Sequence, residues 1–130
     1  MNYFICALNS IQLGIPAERA ERIIPVTRMQ TAVYETENQE AFISLPALFR
    51  QEDTPVPHGV VLKPNGLPDG TVKAVLLTPR IEKDLEIPEE GIHGLPAAFA
   101  GLFRYFSGAC FNGQEIIFIL NPIILMEKIR

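Results

Sequence analysis

The strongest fold signal in the chain is the stretch from Tyr105 to Leu120, which reads YFSGACFNGQEIIFIL. Its first half, up to Phe111, suits a β-strand, and Asn112-Gly113 is a typical two-residue hairpin signal. Residues 114–120 supply the second strand of that hairpin. The run from Ile116 to Leu120 is apolar at every position, which predicts a strand buried on both faces.

Outward from this hairpin, the chain consists of short apolar runs separated by turn residues. The predicted strands are Tyr3–Leu8, Ile11–Ile15, one through Ala20 and Ile23, Ala41–Leu45 ended by Pro46, Val60–Lys63, Val72–Leu77 and Arg80–Ile87. Residues 17–24 also fit a short helical face, but Pro16 and Pro25 leave room for barely two turns. We expect a loop or exposed hairpin at 30–40, a loop at 51–58, a hairpin joining the strands on either side of residues 64–70, and helices at 95–106 and 123–128. The helix at 95–106 would end near Gly101 if the following strand begins early.

Composition agrees with this pattern of short strands. The 130 residues include 11 Pro and 9 Gly spread along the chain, and proline inside a helix costs about 3 kcal/mol. A helical bundle is therefore excluded, and eight to ten strands predict an all-β sandwich or barrel. The length favours one domain, or two very small ones sharing a core.

Charge and cysteine content limit the function classes. A net charge of −4 argues against a general binder of nucleic acid or of anionic membranes, because such a protein needs a basic face. No apolar segment reaches the roughly 20 residues of a membrane span. No secretory leader is visible, and the two cysteines suggest buried thiols in a reducing compartment. We expect a soluble, cytoplasmic protein.

No catalytic, metal or cofactor site emerges from the sequence. His58 and His93 lie in turns flanked by Pro or Gly, which suggests solvated loop histidines without zinc-ligand spacing. Cys6 and Cys110 lie in apolar strands and are expected in the core. Alternation places Glu82, Asp84 and Glu86 on one strand face, which predicts the solvated side of a sheet and a protected edge strand.

The order of segments resembles the CheW-like domain of bacterial chemotaxis coupling proteins. The matching motifs are Leu13-Gly14-Ile15-Pro16, then Arg22-Ile23-Ile24-Pro25-Val26, then the stretch from Leu76 to Ile92, and finally Phe106-Ser107-Gly108-Ala109 with residues 113–120. The resemblance covers nearly the whole chain. It implies two interleaved five-stranded β-barrels on one hydrophobic core, spanning residues 1–130. Within that frame Pro79 interrupts what the family makes one long strand, which predicts a bend or an edge there.

The resemblance also implies a function without chemistry or cofactors. Proteins of this family are adaptors that link the cytoplasmic tip of a chemoreceptor to the regulatory domain of the histidine kinase CheA. By the same resemblance, Ala20 and Arg22 occupy the partner-binding positions where the family often has Val and, two residues later, Glu. Two other functional hypotheses remain open. One is a divergent CheW-like module that binds another partner or itself, and the other is a small-ligand or oligonucleotide-binding barrel.

Two further family signatures are replaced in this sequence. The region from Ala32 to Phe42 lacks the Asn-Leu-Arg-Gly segment whose Arg helps the family to engage receptors. Ile43-Ser44-Leu45-Pro46 stands in place of a Pro-x-x-Asp-Leu signature. These substitutions fall where the family binds receptors, so they favour a divergent member.

Overall fold

The computed structural model describes residues 1–9, 11–65, 67, 73–95 and 104–128. The strands in these ranges are β1 (Asn2–Leu8), β2 (Ile11–Pro16), β3 (Ala20–Pro25), β4 (Tyr34–Glu37), β5 (Glu40–Ser44), β6 (His58–Leu62), β7 (Lys73–Thr78), β8 (Ile81–Glu86), β9 (Ile92–His93), β10 (Phe106–Asn112) and β11 (Glu115–Leu120). The helices are α1 (Leu45–Leu48) and α2 (Pro122–Lys128), with 3-10 turns at Ala17–Arg19 and Glu89–Gly91.

The strands form two mixed sheets. The six-stranded sheet has the order β8-β1-β2-β11-β10-β9, and the five-stranded sheet has the order β3-β6-β7-β5-β4. The chain leaves the first sheet after β2, builds the whole second sheet, and returns at β8. Two pairs are parallel, β2 with β11 and β5 with β7. The predicted all-β class is confirmed. The predicted interleaving is also confirmed, because the strands of one sheet come before and after those of the other along the chain.

Each sheet carries a small apolar cluster of its own on one face. β8 and β9 lie at opposite edges of the six-stranded sheet, yet only residues 87–91 join them, and Ile87, Cys110 and Ile117 share one cluster. Similarly, residues 26–33 join the edge strands β3 and β4 around Val61 and Val75. Among the described residues no hydrogen-bonded pairing joins the two edges of either sheet, so the sheets are not closed into the expected barrels.

A larger cluster packs the two sheets against each other. It contains buried residues from both sheets and from α1 and α2 (Cys6, Leu8, Leu13, Ile15, Ala41, Ile43, Leu45, Val60, Leu62, Ala74, Leu76, Tyr105, Phe106, Leu120, Leu125 and Met126). Alternation along the strands explains the division, since neighbours such as Val60 and Val61 point to opposite faces. One face of each sheet therefore belongs to the shared core.

The hairpin at 105–120 forms as predicted, with its turn shifted by one residue. Asn112 pairs with Glu115, so Gly113 and Gln114 are the central residues, and Gly113 has a φ of +66°. Glycine at the first central position is typical of a type II′ turn. β11 lies between β2 and β10. It is covered on both faces beyond Ile116, because Ile117 and Ile119 pack in one cluster and Phe118 and Leu120 pack in the other.

Several boundaries differ from the sequence-based expectation. β5 ends at Ser44 because the Ser44 hydroxyl accepts a hydrogen bond from the Ala47 N–H and caps α1, with Pro46 in the first turn. Most of the helix expected at 95–106, residues 96–103, lies outside the described residues. Pro79 falls between β7 and β8, so the predicted bend is the point at which the chain crosses to the other sheet.

Candidate partner-binding surface

β3, which carries the two predicted contact residues, is an edge strand of the five-stranded sheet. It pairs with β6 only, and the Lys63 N–H extends that ladder by donating to the Arg19 carbonyl at 2.9 Å. The register shifts between Ala20 and Arg22, so Glu21 is an extra residue without an opposite partner. At this bulge the three consecutive side chains from Glu21 to Ile23 are exposed.

Ala20 and Arg22 differ in their surroundings although they share this bulge. Ala20 is half-buried and packs against the shared core. Arg22 is exposed, lies opposite Val61, and forms no ion pair with the described residues. The neighbouring Ile23 exposes 38% of its surface. The edge therefore presents the apolar Ile23 side chain next to the Arg22 guanidinium, which has no ion-pair partner among the described residues. The assignment of Ala20 and Arg22 to partner binding stays a prediction.

The β4–β5 hairpin occupies the region that lacks the Asn-Leu-Arg-Gly segment. Its two-residue turn, Asn38-Gln39, has positive φ at both positions, as a type I′ turn requires. The acidic side chains of β4 are paired rather than simply solvated. Arg28 donates to the Glu35 carboxylate at 2.9 Å and to Glu37 at 2.7 Å.

Three side-chain hydrogen bonds and one aromatic contact hold the Arg28 guanidinium in place. Its Nε donates to Gln30 Oε1 at 2.9 Å, and its guanidinium lies 4.1 Å from the centre of the Phe42 ring. Hydrogen bonding to Glu37, supported by Glu35, raises the pKa of Arg28 above its usual range. This network was missed from the sequence. The alternation Glu35-x-Glu37 on one strand face was the available signal, but nothing local pointed to Arg28.

A groove of about 570 Å³ opens beside this network, between residues 26–31 and 52–57. Val26 and Val56 form part of its apolar floor and pack on the cluster around Val61. Glu52 and Asp53 line its rim. The β3 edge continues directly into this groove, because Val26 follows Pro25 and its N–H donates to the Pro57 carbonyl at 3.0 Å.

The titratable groups with shifted pKa values all have raised values, so each keeps its proton to a higher pH than usual. Burial, with a smaller contribution from Glu82, raises the pKa of the Cys6 thiol to about 12. Burial and the charge of Glu18 raise the pKa of Tyr3. A thiol nucleophile needs the opposite shift. Within the described ranges there is no group of three or more His, Cys, Asp or Glu residues that could hold a metal ion.

The two histidines do not share one environment, and neither lies in the expected loop. His93 is exposed, in β9. His58 is instead the first residue of β6, is half-buried, and accepts a hydrogen bond at Nδ1 from the Ile81 N–H at 3.0 Å. The Pro residues on its N-terminal side suggested a loop, whereas the bond to Ile81 is long-range and leaves no trace in the local sequence.

None of the described helices is long and apolar enough to span a bilayer.

The arrangement of the two sheets is similar to that in the crystal structure of the scaffolding protein TtCheW from Thermoanaerobacter tengcongensis. The TM-score is 0.66, the match covers 92% of this chain and 82% of that chain, and the sequence identity is 13%. No protein-family model and no curated protein sequence matches the chain. On this structural match, the chain has a CheW-like fold.

Proposed function

We propose that this chain is a non-enzymatic cytoplasmic adaptor of bacterial chemotaxis signalling. It contacts the regulatory domain of a CheA-type histidine kinase and the cytoplasmic tip of a chemoreceptor. The observation that carries the proposal is the CheW-like arrangement of two interleaved sheets over most of the chain. Shifted pKa values that keep Cys6 and Tyr3 protonated agree with binding rather than catalysis.

The β3 edge supports the choice of a protein partner. Protein interfaces typically combine an apolar centre with a polar rim, and Ile23 with its charged neighbours has this character. Arg22 is exposed and unpaired among the described residues, so a partner carboxylate can reach it without breaking an existing bond. Ala20 leaves room beside it because its side chain is a single methyl group.

A second candidate follows from the Arg28 network. The region that replaces Asn-Leu-Arg-Gly is held within the molecule by Arg28, Glu35 and Glu37. A receptor that uses the missing arginine therefore finds no equivalent free cation on this hairpin. In this alternative the module has lost receptor coupling and binds a different partner, or a second copy of itself.

Titration calorimetry distinguishes the two candidates. The intact chain is titrated with a kinase regulatory domain and, separately, with a chemoreceptor tip. We expect saturable binding of the kinase domain and of the receptor tip. A folded chain that binds neither contradicts the coupling role, and a stable homodimer in light scattering under the same conditions supports the alternative.

A further inference from the structure

A pocket of about 420 Å³ lies at one end of the six-stranded sheet, away from β3. β2 and β11 are parallel neighbours, with Gln12 opposite Ile117, so both strands begin at this end. The turns that precede them are consequently side by side. The pocket forms between these turns, and its polar lining comprises Asn9, Gln12, Gln114 and Glu115.

One lining atom lacks a hydrogen-bond partner. Gln12 Oε1 is buried and accepts no hydrogen bond from the described residues. Buried polar atoms are nearly always paired, so an unpaired one needs an explanation. A carboxamide oxygen only accepts hydrogen bonds, which means that whatever satisfies it must be a donor.

The other polar groups extend this set of acceptors. Glu115 brings a carboxylate, and Asn9 and Gln114 each bring a carboxamide, whose oxygen accepts and whose NH2 group donates. No Lys or Arg is among the described residues that line the pocket. The chemistry fits a cationic ligand group with several donors.

Apolar surface adjoins these acceptors. Ile116 lines the pocket and exposes 43% of its surface, and Phe111, its cross-strand partner, exposes 65%. An alkyl stem that enters beside the acceptors can lie against Ile116. The exposed Phe111–Ile116 pair also extends beyond the pocket, which favours a ligand carried on a larger molecule.

We propose that this pocket binds an arginine side chain presented by a partner protein. The guanidinium donates to Gln12 Oε1 and to the Glu115 carboxylate, and its methylene stem packs on Ile116. Arginine fits better than lysine because its planar fork carries five donors that can reach separated acceptors at once, and because it is more weakly hydrated. The site belongs to a different sheet from β3, so it stands or falls independently of the receptor and kinase contacts proposed above.

The first test uses small probes on the intact chain, followed by the backbone and side-chain amide signals in NMR. N-acetyl-L-arginine methylamide is expected to shift signals of the two turns and of the Gln12 side chain. We expect at least tenfold weaker binding for the corresponding lysine compound and none for the neutral citrulline compound. Equal responses to arginine and citrulline, or none to arginine, overturn the proposal. Tighter binding of free arginine than of the capped form also overturns it, because the ligand would then be the amino acid.

Two variants give the matched comparison. Gln12→Met removes the unpaired acceptor while keeping the volume, so the melting temperature should stay the same or rise while arginine binding falls more than tenfold. Such an opposed change is not expected of a purely structural residue. A less stable Gln12→Met chain that still binds arginine shows that the oxygen is held by a structural water, and the proposal is then wrong.

Glu115→Gln removes the charge of the pocket, and Glu127→Gln makes the same change at an exposed position of α2. Only the first variant should weaken binding of the arginine probe, by at least tenfold. Equal binding by both variants excludes Glu115 as a ligand-binding residue and overturns the proposed site.

Discussion

His58 Nδ1 accepts a hydrogen bond from the Ile81 N–H at 3.0 Å, although the two residues belong to different sheets. The bond spans the crossover at Pro79, where the chain passes from β7 to β8. The Thr78 hydroxyl donates to the His58 carbonyl at 3.4 Å and anchors the same corner. With Nδ1 accepting, the neutral imidazole carries its proton on Nε2. His58 thus links the first residue of β6 to the first residue of β8 across the crossover.

Replacing His58 by Ala should lower the free energy of unfolding by about 1–2 kcal/mol, because the Ile81 N–H is left without its acceptor. His58→Asn should retain most of the stability, since Asn Oδ1 can take the place of Nδ1. Chemical denaturation of both variants measures the difference. His93→Ala is the control, as His93 is exposed. A His58→Ala chain as stable as the parent chain would show that the bond contributes nothing.

Ile117→Ala should destabilise the chain by roughly 2–5 kcal/mol, because Ile117 is fully buried in the central strand β11 and its truncation leaves a cavity. Ile116→Ala, one residue earlier, should cost far less since that side chain is 43% exposed. Urea unfolding curves with a common slope give the comparison. If both variants unfold at the same urea concentration, the assignment of β11 as a central strand is wrong.

Gly108→Ala should destabilise the edge of the six-stranded sheet by about 1–3 kcal/mol through overpacking. A Cβ at this position would lie 2.7 Å from the His93 carbonyl oxygen, and that oxygen belongs to the backbone of β9. Gly94→Ala is the matched control, because a Cβ there meets nothing within 4 Å. Hydrogen exchange at Ile92 and His93 reports the local effect. Unchanged protection of these amides in Gly108→Ala would contradict the close approach.

The buried Cys6 thiol predicts a loss of stability in alkali. Its pKa is raised from the ordinary value of 9.0 to about 12 by burial. Above about pH 9 the unfolded thiol ionises while the folded thiol stays protonated, so stability present below that pH is lost as the pH rises towards 12. The loss from this group is about 1.4 kcal/mol per pH unit.

Cys6→Ala should therefore show a shallower alkaline decline in unfolding free energy than the parent chain, whatever its stability at neutral pH. Cys110→Ala provides a control with the same substitution at the other buried cysteine. Denaturation between pH 8 and about pH 10.5 covers the relevant window. Parallel declines for the parent and Cys6→Ala would mean that the Cys6 proton is not retained on folding.

Arg22→Glu should leave the melting temperature nearly unchanged, because the side chain is exposed and makes no ion pair with the described residues. Under the second candidate, in which receptor coupling has been lost, it should strengthen binding of a chemoreceptor tip by at least tenfold, since Glu is the residue that the family often carries there. Arg80→Glu applies the same charge reversal at an exposed residue outside β3. If Arg80→Glu strengthened receptor binding equally, the gain would come from the change in net charge. That result would contradict a specific contact at residue 22.

Local sequence patterns predicted much of the fold. The Asn112-Gly113 dipeptide indicated a hairpin, and the continuous apolar run after it indicated a central strand. The row of acids from Glu82 to Glu86 indicated an edge strand. β8 does form one edge of the six-stranded sheet. These features depend on residues a few positions apart, where steric preference and alternation determine the result.

The features that were missed depend on contacts between distant parts of the chain. Nothing in the alternation of β2 or β11 shows that they pair in parallel, because the side-chain period is the same for any neighbour. The His58–Ile81 bond and the Arg28 network are long-range in the same sense. The pocket at Gln12 was also invisible, since a lone glutamine in a strand gives no indication of what lies opposite.

The parallel pairing of β2 with β11 constrains the order in which the molecule can be completed during synthesis. β3 to β7 come from one uninterrupted stretch of chain, so the five-stranded sheet can assemble as soon as residue 78 has left the ribosome. β1 and β2 are made earlier, yet β2 must wait for β11 before its second edge is covered. Until then an apolar strand edge remains open to mispairing, a hazard for nascent chains with late-forming contacts.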